Sequence, residues 1–406
     1  MKDNRRLLVL ALGNFAMGTD GFVVAGVLPE ITRSFHVGIG AAGQMTTVFA
    51  LTYALLAPTI ATLAANVPRK RLLLAALGLF VIANLGTALV PTFGLALATR
   101  ALAGVAAAMF SPTATGSATV IVPRERMGFA LSVVVSGMTI STALGAPLGT
   151  VIGGLGNWRY TMVFVALLAF LSFLGVLAFL SEIPMLPAIS LAKRLAPVAD
   201  MRVALTLCTT MLFFTAAFTI YTYFAVVFGR AIGGNATVFG GLLAIWGMAG
   251  IFSNLVGGRL IDSIGSRRVL NTLLAFVLVD FALLYWSGPH LWTAVAAIII
   301  WGCCGWGTLV PLQHRLVSIA PPIAPILLGL NTSAIYLGTT AAGIIGAAGI
   351  QVLGAQYLGY IAALFVGAAM VVAEFAARRI ATGDETKAST ESPMNPLGAT
   401  PDQAKA

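Results

Sequence analysis

Three ionisable residues stand inside long apolar runs: Asp20 within MGTDGFVVAGVLPE (residues 17–30), Arg100 at the head of RALAGVAAA (100–108), and Asp280. An ionisable group at bilayer depth costs from about 2.5 kcal/mol upward, so chains rarely keep one without a use for it. If the first run forms a helix from Leu7, Asp20 lies about 20 Å along it, where a carboxyl could take up and release a proton near physiological pH. Arg100 cannot readily shed its proton and needs an anionic or carbonyl partner. Pairing with Asp20 satisfies both while the carboxyl is ionised, and protonating Asp20 would loosen the pair and bias a conformational equilibrium. The same residues also fit a structural role, with Asp20 neutralised by Arg100 or bonded to Thr19 and backbone, and Arg100 held on helix-end carbonyls. Asp280 is a second candidate for proton exchange, or else packs against a polar neighbour.

Other chemistry finds little support. His36, His290 and His314 sit at the ends of runs or in loops and share no metal-ligand spacing. Cys208, Cys303 and Cys304 fall within apolar runs, so neither a disulfide framework nor a metal site is expected. The chain has no Walker-type phosphate loop, which points away from ATP; with Asp20 as an exchangeable acid a proton gradient is the expected energy source, with no metal or organic cofactor and no enzyme activity expected.

The elements that must hold these residues follow from composition. Of 406 residues, 59% are hydrophobic and only 9% charged, and the mean hydropathy is +0.97. A water-facing domain carries roughly 25% charged residues, so the solvent here is a bilayer. Continuous runs close to spanning length, without strict alternation, predict helices rather than barrel strands. They lie near 7–29, 41–64, 72–90, 93–122, 128–155, 159–180, 203–228, 237–261, 269–287, 291–313, 323–353 and 356–377. With these twelve helices, 19 of the 23 Lys and Arg residues fall on one side, against Arg33, Arg159 and Arg230 on the other. The positive-inside rule then places both termini in the cytoplasm. The net charge of +10 is thus explained by membrane topology, and no nucleic-acid partner is expected. The basic N-terminus begins a retained helix, because no small-residue cleavage site follows it.

The segment SEIPMLPAISLAKRLAPVADMR, with three prolines and a charge cluster, divides the chain. This gives a six-helix bundle over 1–180, a cytoplasmic linker over 181–202, a second six-helix bundle over 203–380 and a polar, disordered cytoplasmic tail over 381–406. The linker is expected to include a short helix along the membrane. An internal echo relates the halves: ATLAANVPRKR (61–71) and GRLIDSIGSRR (258–268) both end a helix and begin the next with basic residues, Arg69 and Arg71 in one, Arg267 and Arg268 in the other. A repeat near half the chain length suits two bundles related along the membrane normal.

With those features the sequence resembles the major facilitator superfamily over nearly its whole length. GRLIDSIGSRR is similar to that family's loop motif through Gly258, Asp262, Gly265, Arg267 and Arg268. Gly258 is expected to permit close helix contact, Gly265 a tight turn, and Asp262 to accept helix-end hydrogen bonds or pair with arginine. The first copy departs, with Ala61, Ala65 and Pro68 where the pattern has Gly, Asp and Gly, so a gate salt bridge through that aspartate cannot form. RALAGVAAA resembles the embedded-arginine motif, and GMTISTALGAPLGTVIGG (137–154) resembles the antiporter glycine–proline motif through Gly145, Pro147 and Gly149, where small residues allow backbone contact and proline allows bending. TDGFVVAGVLPEI, PRKRLLL, VPRERMGFALSV and NWRYTM narrow the likeness to the twelve-helix drug:proton antiporters that include arabinose-, chloramphenicol- and purine-type bacterial exporters.

The resemblance implies a central cavity lined by helices 1, 4, 7 and 10. Candidate lining residues are Phe22, Met109, Phe110, Phe214, Phe218, Tyr221, Trp301 and Trp306, with Gln44, Asn331 and Tyr336 adding polar groups from helices 2 and 11. Aromatic and thioether walls favour an apolar or planar ligand, although lipid-facing bulk also accounts for such residues. The expected protein is a multi-pass exporter of a small organic molecule in the bacterial cytoplasmic membrane, working as a monomer by exchange with protons. Its rivals are a sugar or nucleoside exporter, an uptake symporter on the same scaffold and, remotely, a non-transporting receptor or scaffold.

Overall fold

Backbone groups within hydrocarbon must bond internally, so each apolar run closes into a helix. The computed structural model describes residues 2–183 and 189–391. Among them, twelve helices are long and apolar enough to cross a membrane: α1 (Asp3–Gly26), α2 (Ile39–Leu63), α3 (Arg69–Leu89), α4 (Phe93–Ile121), α5 (Met127–Gly154), α6 (Arg159–Phe179), α7 (Met201–Thr222), α8 (Ala236–Ile264), α9 (Ser266–Ser287), α10 (Leu291–Ile319), α11 (Pro321–Val352) and α12 (Ala355–Ala381). The breaks have local causes. Thr92 caps α4 through its side chain, Asn235 caps α8 by accepting from Thr237 and Val238, and Gly265, at φ +84°, turns the chain from α8 into α9. The linker contains the short helix Leu191–Leu195. The last helix runs on to Glu391, past the start of the expected disordered tail, whose remainder, 392–406, lies outside the described residues.

The repeat expected from sequence is visible in which helices touch. In the first half α1 packs on α5 and α6, α4 on α2 and α3, and α3 on α6; in the second half α7 packs on α11 and α12, α10 on α8 and α9, and α9 on α12. The second set is the first with six added to every label. Glycines mark the tightest of these seams. A Cβ on Gly137 of α5 would strike the carbonyl of Ala11, and one on Gly338 of α11 the carbonyl of Met211. In the same way Gly104 of α4 faces the Phe49 carbonyl and Gly302 of α10 the Trp246 carbonyl. Helices of similar apolarity to lipid associate by such close backbone approach, so these glycines set the bundle geometry. The halves meet along α2 against α11 and α5 against α8.

Candidate functional site

α1 and α4 bring the two buried charges together. Arg100 Nη1 donates to Asp20 Oδ1 at 2.6 Å, and both side chains are wholly shielded from solvent. The guanidinium also lies over the Phe49 ring of α2, 4.9 Å from its centroid. The pair is incompletely satisfied: Asp20 Oδ2, Arg100 Nε and Arg100 Nη2 have no hydrogen-bond partner among the described residues. Thr19 does not serve Asp20, since its hydroxyl donates back to the Phe15 carbonyl. Removing two charges from water is repaid only when geometry and extra hydrogen bonds are good, and here a single hydrogen bond joins the two charges.

Two residues beyond Asp20, Phe22 crosses the seam into a cluster of rings from the other bundle. Its centroid lies 5.5 Å from Tyr221, 6.0 Å from Phe218 and Trp246, and 6.1 Å from Trp306. Trp301 completes the cluster, 5.2 Å from Trp246. The Tyr221 hydroxyl donates to the Phe22 carbonyl at 3.0 Å, a bond between bundles. Nearby, Gln44 of α2 donates to the Gly343 carbonyl of α11 at 3.2 Å, and Tyr223 donates to the same carbonyl at 2.7 Å and to the Gly40 carbonyl at 3.5 Å. These groups sit at the end of α1, the start of α2 and the ends of α7 and α11, all on the face opposite the termini. The cross-bundle bonds made by Tyr221, Gln44 and Tyr223 all lie on this face. The molecule is latched shut at its far side.

A two-bundle fold with a ring-lined seam, a buried ion pair and one latched face sets the context for the sequence comparison. The profile of the Major Facilitator Superfamily matches residues 10–324. The chain belongs to this superfamily. It is 27% identical to the MFS-type transporter YbcL of Bacillus subtilis, over 91% of this chain and 95% of that protein. The inner membrane transport protein YdhP of Escherichia coli K12 is 26% identical over 93% of this chain and 97% of its own length. A probable sugar efflux transporter of Mannheimia succiniciproducens is 26% identical, covering 90% and 92%. Among solved structures, the inward-facing, occupied form of a bacterial homologue of the human lysosomal transporter Spinster superposes with a TM-score of 0.76 at 17% identity, over 92% of this chain and 96% of that one. A major facilitator protein of this kind is a multi-pass membrane transporter and not an enzyme, and its substrate is a small molecule.

Against that superfamily frame, the expected residues divide. Phe22, Phe218, Tyr221, Trp301 and Trp306 meet in the ring cluster, with Phe214 at its edge, 6.0 Å from Phe218. Trp246 also belongs there; it was not expected because α8 was not counted among the cavity helices. Tyr336 stacks on Tyr53 across the seam at 3.9 Å and lies 6.4 Å from Phe49, which places it one ring from the ion pair. Met109 is half-buried against the core. Three expectations are corrected. Phe110 fills the space above Gly13 inside the first bundle and is core. Gln44 spends its amide on the latch rather than on a cavity. Asn331 is buried between α7 and α11, accepting from Thr210. Asp280, on α9, leaves Oδ2 without a hydrogen bond to any described residue.

The motif residues divide too. Gly265 makes the tight turn, as expected. Gly258 has nothing near it; the close contact is made by its neighbour Gly257, against Val310 of α10. Asp262 is exposed and forms no ion pair among the described residues, because the turn at Gly265 points Arg267 toward α12, where it pairs with Glu374. Arg69 lies against Gly116 of α4, while Arg71 and Arg268 are exposed. In α5, Gly145 and Gly149 face Thr19 and Val23 of α1, giving the expected backbone approach. The irregularity expected of Pro147 appears as a π-turn over Ser141–Gly145, immediately before it.

Proposed function

We propose that this protein exports a small organic molecule across a bacterial cytoplasmic membrane in exchange for protons, as a monomer with both termini in the cytoplasm. The observation that carries the reading is the wholly buried Asp20–Arg100 pair, which keeps three unpartnered polar atoms, one on Asp20 and two on Arg100, with Asp20 on the helix whose next residues form the cross-bundle latch. With the far face shut, Asp20 is ionised and holds Arg100. When the bundles rock and the far face opens, a proton from outside reaches Asp20, Arg100 is released, and the substrate leaves. Reclosing returns the proton to the cytoplasmic side and restores the pair. Each ligand biases the equilibrium through its different affinity for the two states.

The direction draws support from relatives named as efflux transporters. Their names also favour a second reading, sugar export. Against it, two of the seam's larger polar side chains are engaged within the protein: Gln44 donates into the latch, and the Asn331 carbonyl oxygen accepts from Thr210. The deciding experiment is proton flux in proteoliposomes. Substrate movement should carry protons in the opposite sense, and Asp20→Asn should abolish the coupling. Transport indifferent to a pH gradient, or unchanged by that substitution, removes the assignment.

A further inference from the structure

One feature of the second bundle goes beyond coupling. Trp246 and Trp306 both line a small cavity with Phe214, Phe218, Tyr221 and Trp301, and neither indole N–H has an acceptor among the described residues. Trp246 is 4% exposed, and its ring is central to the cluster, between Tyr221 at 4.7 Å and Trp306 at 5.4 Å. Buried donors normally find acceptors, because leaving one unpaired costs free energy. The cavity as it stands, about 10 Å³, has room for about one water. Phe22 shows what else the place accommodates: a flat ring from the opposite bundle, already held by four rings at distances usual for aromatic pairs.

We propose that the compound this ring cluster selects is flat, neutral and furnished with a hydrogen-bond acceptor, with the Trp246 indole as the donor that sets the preference and Trp306 as a second donor. Rings alone would equally welcome a cation. Here, however, no carboxylate lines the cavity, Asp20 is engaged by Arg100, and the unpaired groups are donors, which repel a positive charge. An acceptor-free hydrocarbon would stack but leave both indoles unsatisfied. This inference rests on the reading of the seam as a transport route, and it concerns which compound binds rather than what drives it.

The test uses three two-ring probes of nearly equal size: coumarin (neutral, with a carbonyl), naphthalene (no acceptor) and N-methylquinolinium (cationic). Each is titrated calorimetrically into the full chain in nanodiscs without a pH gradient. Coumarin should bind about tenfold more tightly than naphthalene, the worth of one buried hydrogen bond, and the cation should bind most weakly. Trp246→Phe keeps a ring and removes the donor; it should erase the coumarin preference while changing naphthalene affinity by less than about twofold. Trp306→Phe should act likewise but less strongly, and Trp292→Phe, at an 81% exposed site, should do nothing. The proposal is overturned if coumarin and naphthalene bind alike, if the cation binds best, or if Trp246→Phe weakens both neutral probes equally. The wild-type comparison decides even if a variant misfolds. Because no gradient is applied, a failure of proton coupling would leave these outcomes unmoved.

Discussion

The two bundles share one helix arrangement and spend it on opposite chemistry. Matching glycine seams align them: nine residues after Ala11 stands Asp20, and nine after Met211 stands Ile220, next to Tyr221; four residues before Gly104 stands Arg100, and four before Gly302 stands Ile298. Phe49, beneath the Arg100 guanidinium, corresponds to Trp246, at the centre of the ring cluster. Where the first half buries a charge pair, the second buries aliphatic and aromatic surface. A duplicated scaffold can therefore divide labour, with one half holding an ion pair whose strength depends on a proton and the other supplying a polarisable surface. The latch between Tyr221 and Phe22 joins them.

The charge side of this comparison gives the largest expected effect. Asp20→Leu strands a guanidinium that cannot neutralise itself, and should cost about 3–5 kcal/mol in thermal unfolding in detergent. Arg100→Met should cost less, because the carboxyl left behind can take a proton. Combining the two should recover most of the lost stability, since an apolar pair of similar volume often replaces a buried ion pair at little cost, while proton coupling stays lost. A double variant no more stable than Asp20→Leu would mean that the pair holds the bundle together by something other than mutual neutralisation.

Next in size is the seam that carries the latch. The Tyr223 phenol lies against Gly43 of α2, so Gly43→Ala overpacks that contact. Overpacking of this sort costs about 1–3 kcal/mol, here borne only by the state closed at the far face. Spin-label distances across that face should shift toward longer values, with global unfolding little changed. Tyr221→Phe should act in the same sense but more weakly. It removes one hydrogen bond of 3.0 Å, worth about 1 kcal/mol, or roughly a fivefold change in the closed-to-open ratio. If Tyr221→Phe opens the face more than Gly43→Ala does, the ring cluster rather than the α2–α11 seam carries the closure.

The sequence makes one side of this comparison far easier to read than the other. A charge in an apolar run announces itself, so the partnership of Asp20 and Arg100 follows from two residues and a helix count. Rings do not announce themselves: in a bilayer, lipid-facing and core-facing positions are equally apolar, and Trp292, 81% exposed, reads like Trp246, 4% exposed. The internal echo held the missing signal. Its offset, seen at residues 61–71 and 258–268, carries Phe49 onto Trp246, but only the packing reveals that both positions matter. The same limit explains the motif corrections. A motif names residue types, whereas contact with Gly257 instead of Gly258, or Arg267 turning to Glu374 instead of Asp262, depends on helix rotation by about 100° per residue.

The smallest expected effect bears most directly on whether the division of labour is complete. Asp280 is the second half's own buried acid, 7% exposed on α9, with Oδ2 unbonded and no salt bridge among the described residues. Asp280→Asn removes a group that stabilises nothing by pairing, so it should change unfolding by less than about 1 kcal/mol. If proton exchange belongs to the first bundle alone, this variant should also retain full proton-coupled flux in proteoliposomes, in contrast to Asp20→Asn. A folded Asp280→Asn protein that moves substrate but no longer moves protons would place a coupling acid in each half, and the asymmetry would then lie in the rings and the arginine but not in the acids.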